Sequence, residues 1–566
     1  MNTYQAVYHR WLKCEDLDPS LKQELNHLSD ETEIEERFYR HLEFGTGGLR
    51  GVIGAGINRI NIYTVRRATE GLARYLRKNV QDAEARGVVI AYDSRHMSAE
   101  FAGEAAGVLA QNGIKVFLFQ ELTPTPILSF AVRYLGAAAG IVITASHNPP
   151  EYNGYKVYGG DGGQIPPITA NLILEEINGV ENELLVKALS KEEGIEKNRI
   201  FFLGEDIVQA YTNRLLSLSL QPDRIKQLDD FHIVYTSLHG AGNKPVRKVL
   251  KELGFAHVHV VREQERPDPN FSTISSPNPE DQKAFEMAIK LAHRVNADIV
   301  LGTDPDADRV GVAARNSDGW YVVLNGNQTG VLLLHFLLEQ RKACGKLPAN
   351  GVVLKTIVTS DLGRWIAASY NVTTVDTLTG FKYIGEKMNE YEQTGEYTFL
   401  FGFEESYGYL IGDFVRDKDA VQAAMMASEM AAYYKTKGLT LYDALQQIYE
   451  TYGYFLEDLT SFTFAGKQGL EKMEQIMNRL RREVLSTIGN QQVKNVIDYL
   501  PGVHGLPPSN VLKYVLEEGS WLAVRPSGTE PKIKFYFSAV GSTYAEAESK
   551  LQQMKSFVSA LVNSTA

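Results

Sequence analysis

Cysteine is almost missing from this chain. Cys14 and Cys344 are the only two among 566 residues. That is too few for a disulfide framework and fits a reducing compartment, so a cytoplasmic location is expected. Long apolar runs are missing as well. Val331–Leu338, interrupted by His335, is among the longest, and no stretch approaches the ~18 residues that a spanning helix needs. Met1-Asn2-Thr3-Tyr4-Gln5-Ala6 holds no basic segment followed by an apolar one, so no signal peptide is read. Positive charge is not in excess. Lys and Arg number 58 against 69 Asp and Glu, a net charge of −11, which argues against a broad nucleic-acid surface. A few basic side chains in a cleft still suffice for a small anion. No G-x-x-x-x-G-K-[ST] sequence occurs, so an ATP P-loop is not indicated, and no low-complexity tract is seen. What remains is an ordinary globular composition, 44% hydrophobic and 22% charged, in a chain long enough for about three to five domains.

One pattern recurs three times. Val88–Tyr92 reads as a strand followed by the polar loop Asp93-Ser94-Arg95. Ser98 is placed to cap a helix bearing Phe101, Ala105, Val108 and Leu109, and Val116–Phe119 reads as the next strand. The second instance runs from His232–Tyr235 through the loop Thr236–Gly242 and a helix ending at Gly254 to Val258–Val261. The third runs from Val352–Lys355 through a Thr/Ser loop and Leu362–Tyr370 to Val372–Val375. Right-handed crossovers would put each loop at the carboxyl ends of parallel strands, where such sheets bind ligands. Residues 456–566 differ, with strands at Leu459–Phe464 and Lys532–Phe537 and helices at Gly469–Leu485 and Tyr544–Val562. The reading is therefore α/β: three similar α/β domains at 1–215, 216–325 and 326–455, followed by a C-terminal α+β domain at 456–566. Residues 1–43 are charged and read as one or two surface helices.

The chain is organised around residues 140–158. The apolar strand Ile141-Val142-Ile143 stops at Thr144-Ala145-Ser146-His147-Asn148, and Pro149-Pro150 forbids its simple continuation. Ser146 is thus delivered at a strand end. His147 and Lys156 are placed to supply proton traffic and positive charge. The bland alternative is a polar turn closed by Asn148 and two prolines. A second signal is Gly302-Thr303-Asp304-Pro305-Asp306-Ala307-Asp308-Arg309 after the strand Ile299–Leu301. In an extended segment Asp304, Asp306 and Asp308 point one way. Three converging carboxylates need a cation, and oxygen-only ligands select Mg²⁺, Mn²⁺ or Ca²⁺ over zinc. An EF-hand fits poorly, since Arg309 and Arg315 stand where Gly and Glu belong. Phe44–Gly51 carries four glycines, which fits either a phosphate loop or a hairpin turn. Glu404 and Ser406 in Phe401–Tyr409 offer partners to sugar hydroxyls, or else an acidic helix start. Arg525, Ser527, Gly528 and Thr529 offer a guanidinium fork, two hydroxyls and a permissive turn, a cradle for phosphate.

Together Phe44–Gly51, Thr144–Lys156, Gly302–Arg309, Gly402–Gly408 and Arg525–Thr529 resemble the α-D-phosphohexomutase family. Within it they resemble the branch of bacterial phosphoglucomutases and eukaryotic phosphopentomutases. The resemblance implies four domains around a central active-site cleft, with one motif mainly from each. It puts the phosphoserine on Ser146 and one Mg²⁺ on Asp304, Asp306 and Asp308, with Ser146 completing the metal site. It puts sugar recognition on Glu404 and Ser406, and phosphate recognition on Arg525, Ser527, Gly528 and Thr529. Arg50, Lys156 and Lys382 match basic positions near the reacting groups, and proton transfer falls to Lys156, His147 or Lys382. The implied reaction interconverts glucose 1-phosphate and glucose 6-phosphate through glucose 1,6-bisphosphate, which serves as intermediate and activator. The metal loop reads Asp-Pro-Asp-Ala-Asp where many relatives space it with glycine, so a mannose or pentose phosphate stays an alternative. A non-catalytic sugar-phosphate binding protein is the alternative of another class. The expected partner is a small sugar phosphate, with no nucleic acid and no membrane; oligomeric state is not legible.

Overall fold

The computed structural model describes residues 3–45, 47–464, 466–527 and 532–564. Gly528 and Thr529, both expected in the phosphate cradle, lie outside them, as does Thr46. Two compact units form. The first is Met1–Asn325 with Phe381–Gly402 and Ser406–Thr440. The second is Gly326–Gly380 with Phe403–Glu405 and Leu441–Ala566.

In the first unit, β1 (Gly48–Val52), β2 (Val88–Tyr92), β3 (Val116–Phe119), β4 (Ala139–Ile143), β5 (Tyr152–Gly159) and β6 (Ile200–Leu203) make one sheet, ordered β1-β5-β4-β2-β3-β6. The run β4-β2-β3-β6 is parallel. Its strands read as near-continuous apolar runs because helices cover both faces. Helices Ile62–Asn79 and Ser98–Gln111 contribute Leu72, Leu76, Phe101 and Leu109 to the core beside Ile90 and Ile141. Each such apolar side chain gains about 1.5–3 kcal/mol by leaving water. Ser98 is the first helical residue and not the cap. Met97 precedes it at φ +63°, and the Ser98 hydroxyl donates to Asp93 at 2.7 Å.

The next sheet holds β7 (His232–Thr236), β8 (His257–Val260), β9 (Ile299–Thr303), β10 (Val310–Arg315) and β11 (Tyr321–Leu324), ordered β11-β10-β9-β7-β8. β9, β7 and β8 are parallel; β10 and β11 run antiparallel. Both sheets are thus mixed where the sequence suggested parallel strands. The reason is the same in each. The β4–β5 and β9–β10 connections are too short for a crossover helix, so the chain turns back on itself. Helix Ala420–Thr436 packs against β9 and β10 and is buried almost end to end, which explains why residues 406–440 belong to this unit. The first 43 residues also depart from expectation. Helices Thr3–Leu12, Pro19–His27 and Glu31–Phe38 enclose a small core of their own, with Trp11 edge-on to Phe38 and Tyr63.

In the second unit, β12 (Gly351–Thr356) and β13 (Thr373–Thr377) pair in parallel on either side of helix Leu362–Ser369 in the chain. β14 (Thr398–Glu404) gives its last residues to this unit, whereas β15 (Gly408–Leu410) falls in the first. The chain then builds β16 (Tyr454–Thr463), β17 (Thr487–Ile488), β18 (Gln491–Asp498), β19 (Leu512–Leu516), β20 (Trp521–Pro526) and β21 (Lys532–Gly541). Their order is β16-β21-β20-β19-β18-β17, antiparallel throughout. Helices Gly466–Arg482 and Tyr544–Ser564 share a core with it through Met477, Leu480, Phe535, Met554 and Val558. The architecture is three α/β domains and a C-terminal α+β domain.

Candidate active site

β4 ends at Ile143, and the next three residues bring Ser146 to the sheet's carboxyl edge. Ser146 is buried and adopts φ +52°. A left-handed backbone at a non-glycine residue costs about 1–3 kcal/mol and needs support from its surroundings. Thr144 Oγ1 accepts the Ser146 N–H at 2.7 Å. Arg95, at the end of the neighbouring parallel strand β2, supplies the rest. Its Nε donates to the Ser146 carbonyl at 3.1 Å, and Nη1 donates to Pro149 and Tyr152 carbonyls at 2.8 and 3.1 Å. Its Nη2 donates to the Asn148 carbonyl. The guanidinium lies 5.0 Å from the Phe271 ring centroid and 3.6 Å from Asp93. Burial pulls the Arg95 pKa down and pushes the Asp93 carboxyl up, each opposed by the other's charge. One buried guanidinium therefore ties the whole reversal together.

The Gly48–Val52 strand runs beside it. β1 pairs with β5, and Gly48 faces Lys156 with φ +156°. A Cβ at Gly48 would drive into the Tyr155 carbonyl, so only glycine lets the strands meet. This pairing carries Arg50 to the Ser146 loop, where Nη1 donates to Asn148 Oδ1 at 3.1 Å.

β9 ends in the second reversal. The Asp304 segment, expected to be extended or coiled, is a buried turn. Ala307 takes φ +50°, and Asp304 Oδ1 accepts the N–H groups of Asp308 and Arg309 at 3.1 and 2.9 Å. The carboxylates converge because the backbone curls around Asp304. Gly240 makes room for this turn: a Cβ there would collide with the Pro305 backbone, and the adjacent Ala241 N–H donates to the Pro305 carbonyl at 2.8 Å.

The two reversals meet. Ser146 Oγ donates to Asp304 Oδ2 at 2.7 Å. His147 Nδ1 lies 3.1 Å from the same hydroxyl. Lys156 Nζ donates to Asp306 Oδ2 at 2.8 Å and sits 3.5 Å from Asp308, and Lys418 Nζ is 3.1 Å from Asp308. Thr125 Oγ1 also donates to Asp306, at 3.0 Å. Burial and the two neighbouring carboxylates hold Asp304 well above the usual carboxylate range. Against the same burial, Lys156 draws Asp306 below that range, and Lys418 and Lys156 draw Asp308 below it. Burial would lower Lys156, but Asp306 and Asp308 raise it, so its ammonium persists. Burial, then Arg309 and Arg50, keep His147 well below an ordinary imidazole and hence neutral.

This cluster suits a divalent cation. One oxygen from each of Asp304, Asp306 and Asp308 lies within 4.8 Å of the others, and all three residues are buried. Oδ1 of Asp306 and of Asp308 is buried with no hydrogen-bond partner among the described residues. A hard cation would satisfy both and relieve the repulsion among the three buried carboxylates.

The remaining expected residues are placed as follows. Lys382 lies in helix Phe381–Thr394 with its ammonium 5.1 Å from the Tyr383 ring centroid, and neighbouring Phe381 faces Lys418 at 5.7 Å. Glu404 ends β14 in the second unit, buried, and accepts the Gly380 N–H at 2.9 Å. Glu405 takes the Thr359 and Thr356 hydroxyls at 2.9 and 3.2 Å. The acidic pair thus closes a strand, and the alternative of a helix start is overturned. Ser406 follows in the turn. Arg525 lies near the end of β20 opposite Lys534, and the Ser527 N–H donates to the Lys532 carbonyl at 2.7 Å. Sequence reasoning missed Arg95, Thr125, Thr144 and Lys418. Arg95 had a faint signal, the polar loop Asp93-Ser94-Arg95 at a strand end; Lys418 sits in the charge run Arg416–Asp419 before an apolar helix.

A buried serine beside a carboxylate triad and two lysines, at the ends of mixed α/β sheets, belongs to the phosphoryl-transferring class. Comparison with known proteins makes this specific. Residues 41–184, 209–319 and 325–452 match the phosphoglucomutase/phosphomannomutase alpha/beta/alpha domains I, II and III, and residues 467–554 match the C-terminal domain. The phosphoglucomutase of Staphylococcus haemolyticus is 40% identical over 93% of this chain and 95% of its own. That of Staphylococcus aureus MSSA476 is 38% identical over 97% and 99%. In fold, the chain matches the open form of parafusin, a phosphoglucomutase from Paramecium, with a TM-score of 0.70 at 18% identity over 93% and 95% of the two chains. It matches a family protein from Burkholderia thailandensis at 0.66 and 19% identity, covering 92% and 97%. The chain belongs to the phosphoglucomutase/phosphomannomutase family. It is an isomerase of the phosphohexomutase class, and the family resemblance drawn from the five motifs holds.

Proposed function

We propose that this enzyme interconverts glucose 1-phosphate and glucose 6-phosphate in the cytoplasm, with phospho-Ser146 as donor and glucose 1,6-bisphosphate as the intermediate. The carrying observation is the Ser146 Oγ–Asp304 hydrogen bond inside a buried Asp triad flanked by Lys156 and Lys418. In the first half-reaction the Ser146 Oγ–P bond breaks as the free sugar hydroxyl forms its own bond to phosphorus. The hydroxyl's proton must leave at the same time, and the departing Ser146 Oγ must gain one. His147, neutral and 3.1 Å from Oγ, is the candidate best supported for that transfer, because Lys156 keeps its proton in the ion pair with Asp306. The bisphosphate then turns end for end, and its other phosphate returns to Ser146. Mg²⁺ held by Asp304, Asp306 and Asp308 would supply charge against the transferring phosphoryl oxygens. Arg50, Lys156 and Lys382 add positive charge near the reacting groups. Glu404 and Ser406 hold sugar hydroxyls. Arg525, Ser527, Gly528 and Thr529 grip the phosphate that is not reacting, so either end of the sugar can be presented.

Glucose is favoured as the sugar because the nearly full-length relatives above are named phosphoglucomutases. A coupled assay with glucose, mannose, ribose and deoxyribose 1-phosphates tests the choice. Glucose 1-phosphate is expected to give the highest kcat/KM by about tenfold or more, roughly 1.4 kcal/mol of transition-state preference. A pentose or mannose phosphate in front would overturn it. Stoichiometric release of free phosphate would make the enzyme a phosphatase instead.

A further inference from the structure

The second unit holds a cavity of about 540 Å³ between the β13 side of its α/β part and the β18–β20 face of the C-terminal sheet. Among the described residues, none of those expected in the active site lines it. A cavity of this size accommodates a drug-sized molecule. Its walls are largely apolar and aromatic, including Trp365, Tyr499, Val515 and Leu506. Trp365 stands at the rim, 59% exposed, an unusual position for so large an apolar side chain.

Charge on the walls is unevenly matched. Asp361 and Asp376 are already answered: Lys355 Nζ lies 2.9 Å from the first and 3.2 Å from the second, and Arg364 Nη2 is 2.8 Å from Asp376. Lys513 is the third cation beside these two carboxylates. Its side chain is only 7% exposed, and its nearest ion-pair oxygen, on Asp361, is 3.8 Å away. It donates to the Ile357 carbonyl at 2.8 Å and sits 4.3 Å from the Trp521 ring centroid. Burial pulls its pKa down to about 8, with Asp361 only partly opposing. With Asp361 and Asp376 already paired by Lys355 and Arg364, Lys513 is a buried positive charge in excess, and such a charge attracts an anion.

We infer that this cavity is a binding site for a small organic monoanion with an aromatic or branched apolar body, its charge at Lys513 and its body against Trp365. The full chain is titrated with 8-anilinonaphthalene-1-sulfonate, and in parallel with N-phenyl-1-naphthylamine, the same body without the sulfonate. Lys513→Met is expected to weaken the sulfonate probe about tenfold, the loss of one charge-assisted contact, and to leave the neutral probe unchanged. Trp365→Ala, a surface change that serves should Lys513→Met not fold, is expected to weaken both probes about fivefold. Unchanged sulfonate affinity in either variant would overturn the site, as would equal losses of both probes in Lys513→Met.

Discussion

Ser146 occupies a backbone conformation that serine seldom adopts, and Arg95 is the side chain that holds it there. The guanidinium fork reaches carbonyls of Ser146, Asn148, Pro149 and Tyr152 at once. A lysine keeps the charge but cannot span them. Arg95→Lys is therefore expected to lower kcat by about 10- to 100-fold, each lost charge-assisted bond being worth about 1.5–3 kcal/mol, with KM changing much less. A rise in KM alone, with kcat intact, would contradict a positioning role. Asp306→Asn removes a charge from the triad, and calorimetric titration is expected to show Mg²⁺ binding weakened by about tenfold or more, with activity falling in step. Metal affinity equal to that of the unaltered chain would contradict the metal assignment. Residues of this kind differed in legibility. Ser146 and the three aspartates stood out because each breaks an apolar strand with a residue type that has few structural uses there. Arg95 and Lys418 did not, because their partners are distant in sequence and only the sheet order brings them near.

Helix Ala420–Thr436 shows how an element can carry a titration. Asp419 caps it, accepting the N–H groups of Val421 and Gln422 at 3.0 and 2.9 Å and the Tyr211 hydroxyl at 2.8 Å. Burial pushes this carboxyl from 3.8 up to about 7, against those hydrogen bonds. The folded state then keeps a proton that the unfolded chain releases near 3.8. The contribution is fully present below that value and is lost as pH rises towards about 7. Asp419→Asn cannot ionise and preserves the cap acceptor, so its melting temperature is expected to gain on the unaltered chain between pH 4 and 7. Parallel melting curves across that range would contradict the assignment. Element identity followed the sequence where runs were apolar or helix-periodic, as at β2, β3, β7 and β12. It missed β17 and β18, whose half-exposed residues carry no apolar run, and the short buried strands β19 and β20, which are defined by their pairing. It also failed for the antiparallel β5 and β10, since strand direction depends on connection length more than on composition.

On the scale of the whole molecule, the three α/β domains and the α+β end were legible because the strand–loop–helix–strand pattern recurs three times and then gives way to a different one. Less legible was the route of the chain. Residues Phe381–Gly402 and Ser406–Thr440 pack with the first unit, since helix Ala420–Thr436 finds its apolar partners on β9 and β10. Serine, metal loop and two lysines thus assemble from sequence positions as far apart as 146 and 418, in support of a phosphoryl group carried by Ser146. The most direct measurement is peptide mass spectrometry of the enzyme after incubation with glucose 1,6-bisphosphate and Mg²⁺, before and after a chase with glucose 1-phosphate. The expected result is one phosphoryl group on Ser146 that the chase removes. Active enzyme that never carries phosphate at Ser146, or carries it without discharge by substrate, would contradict the account.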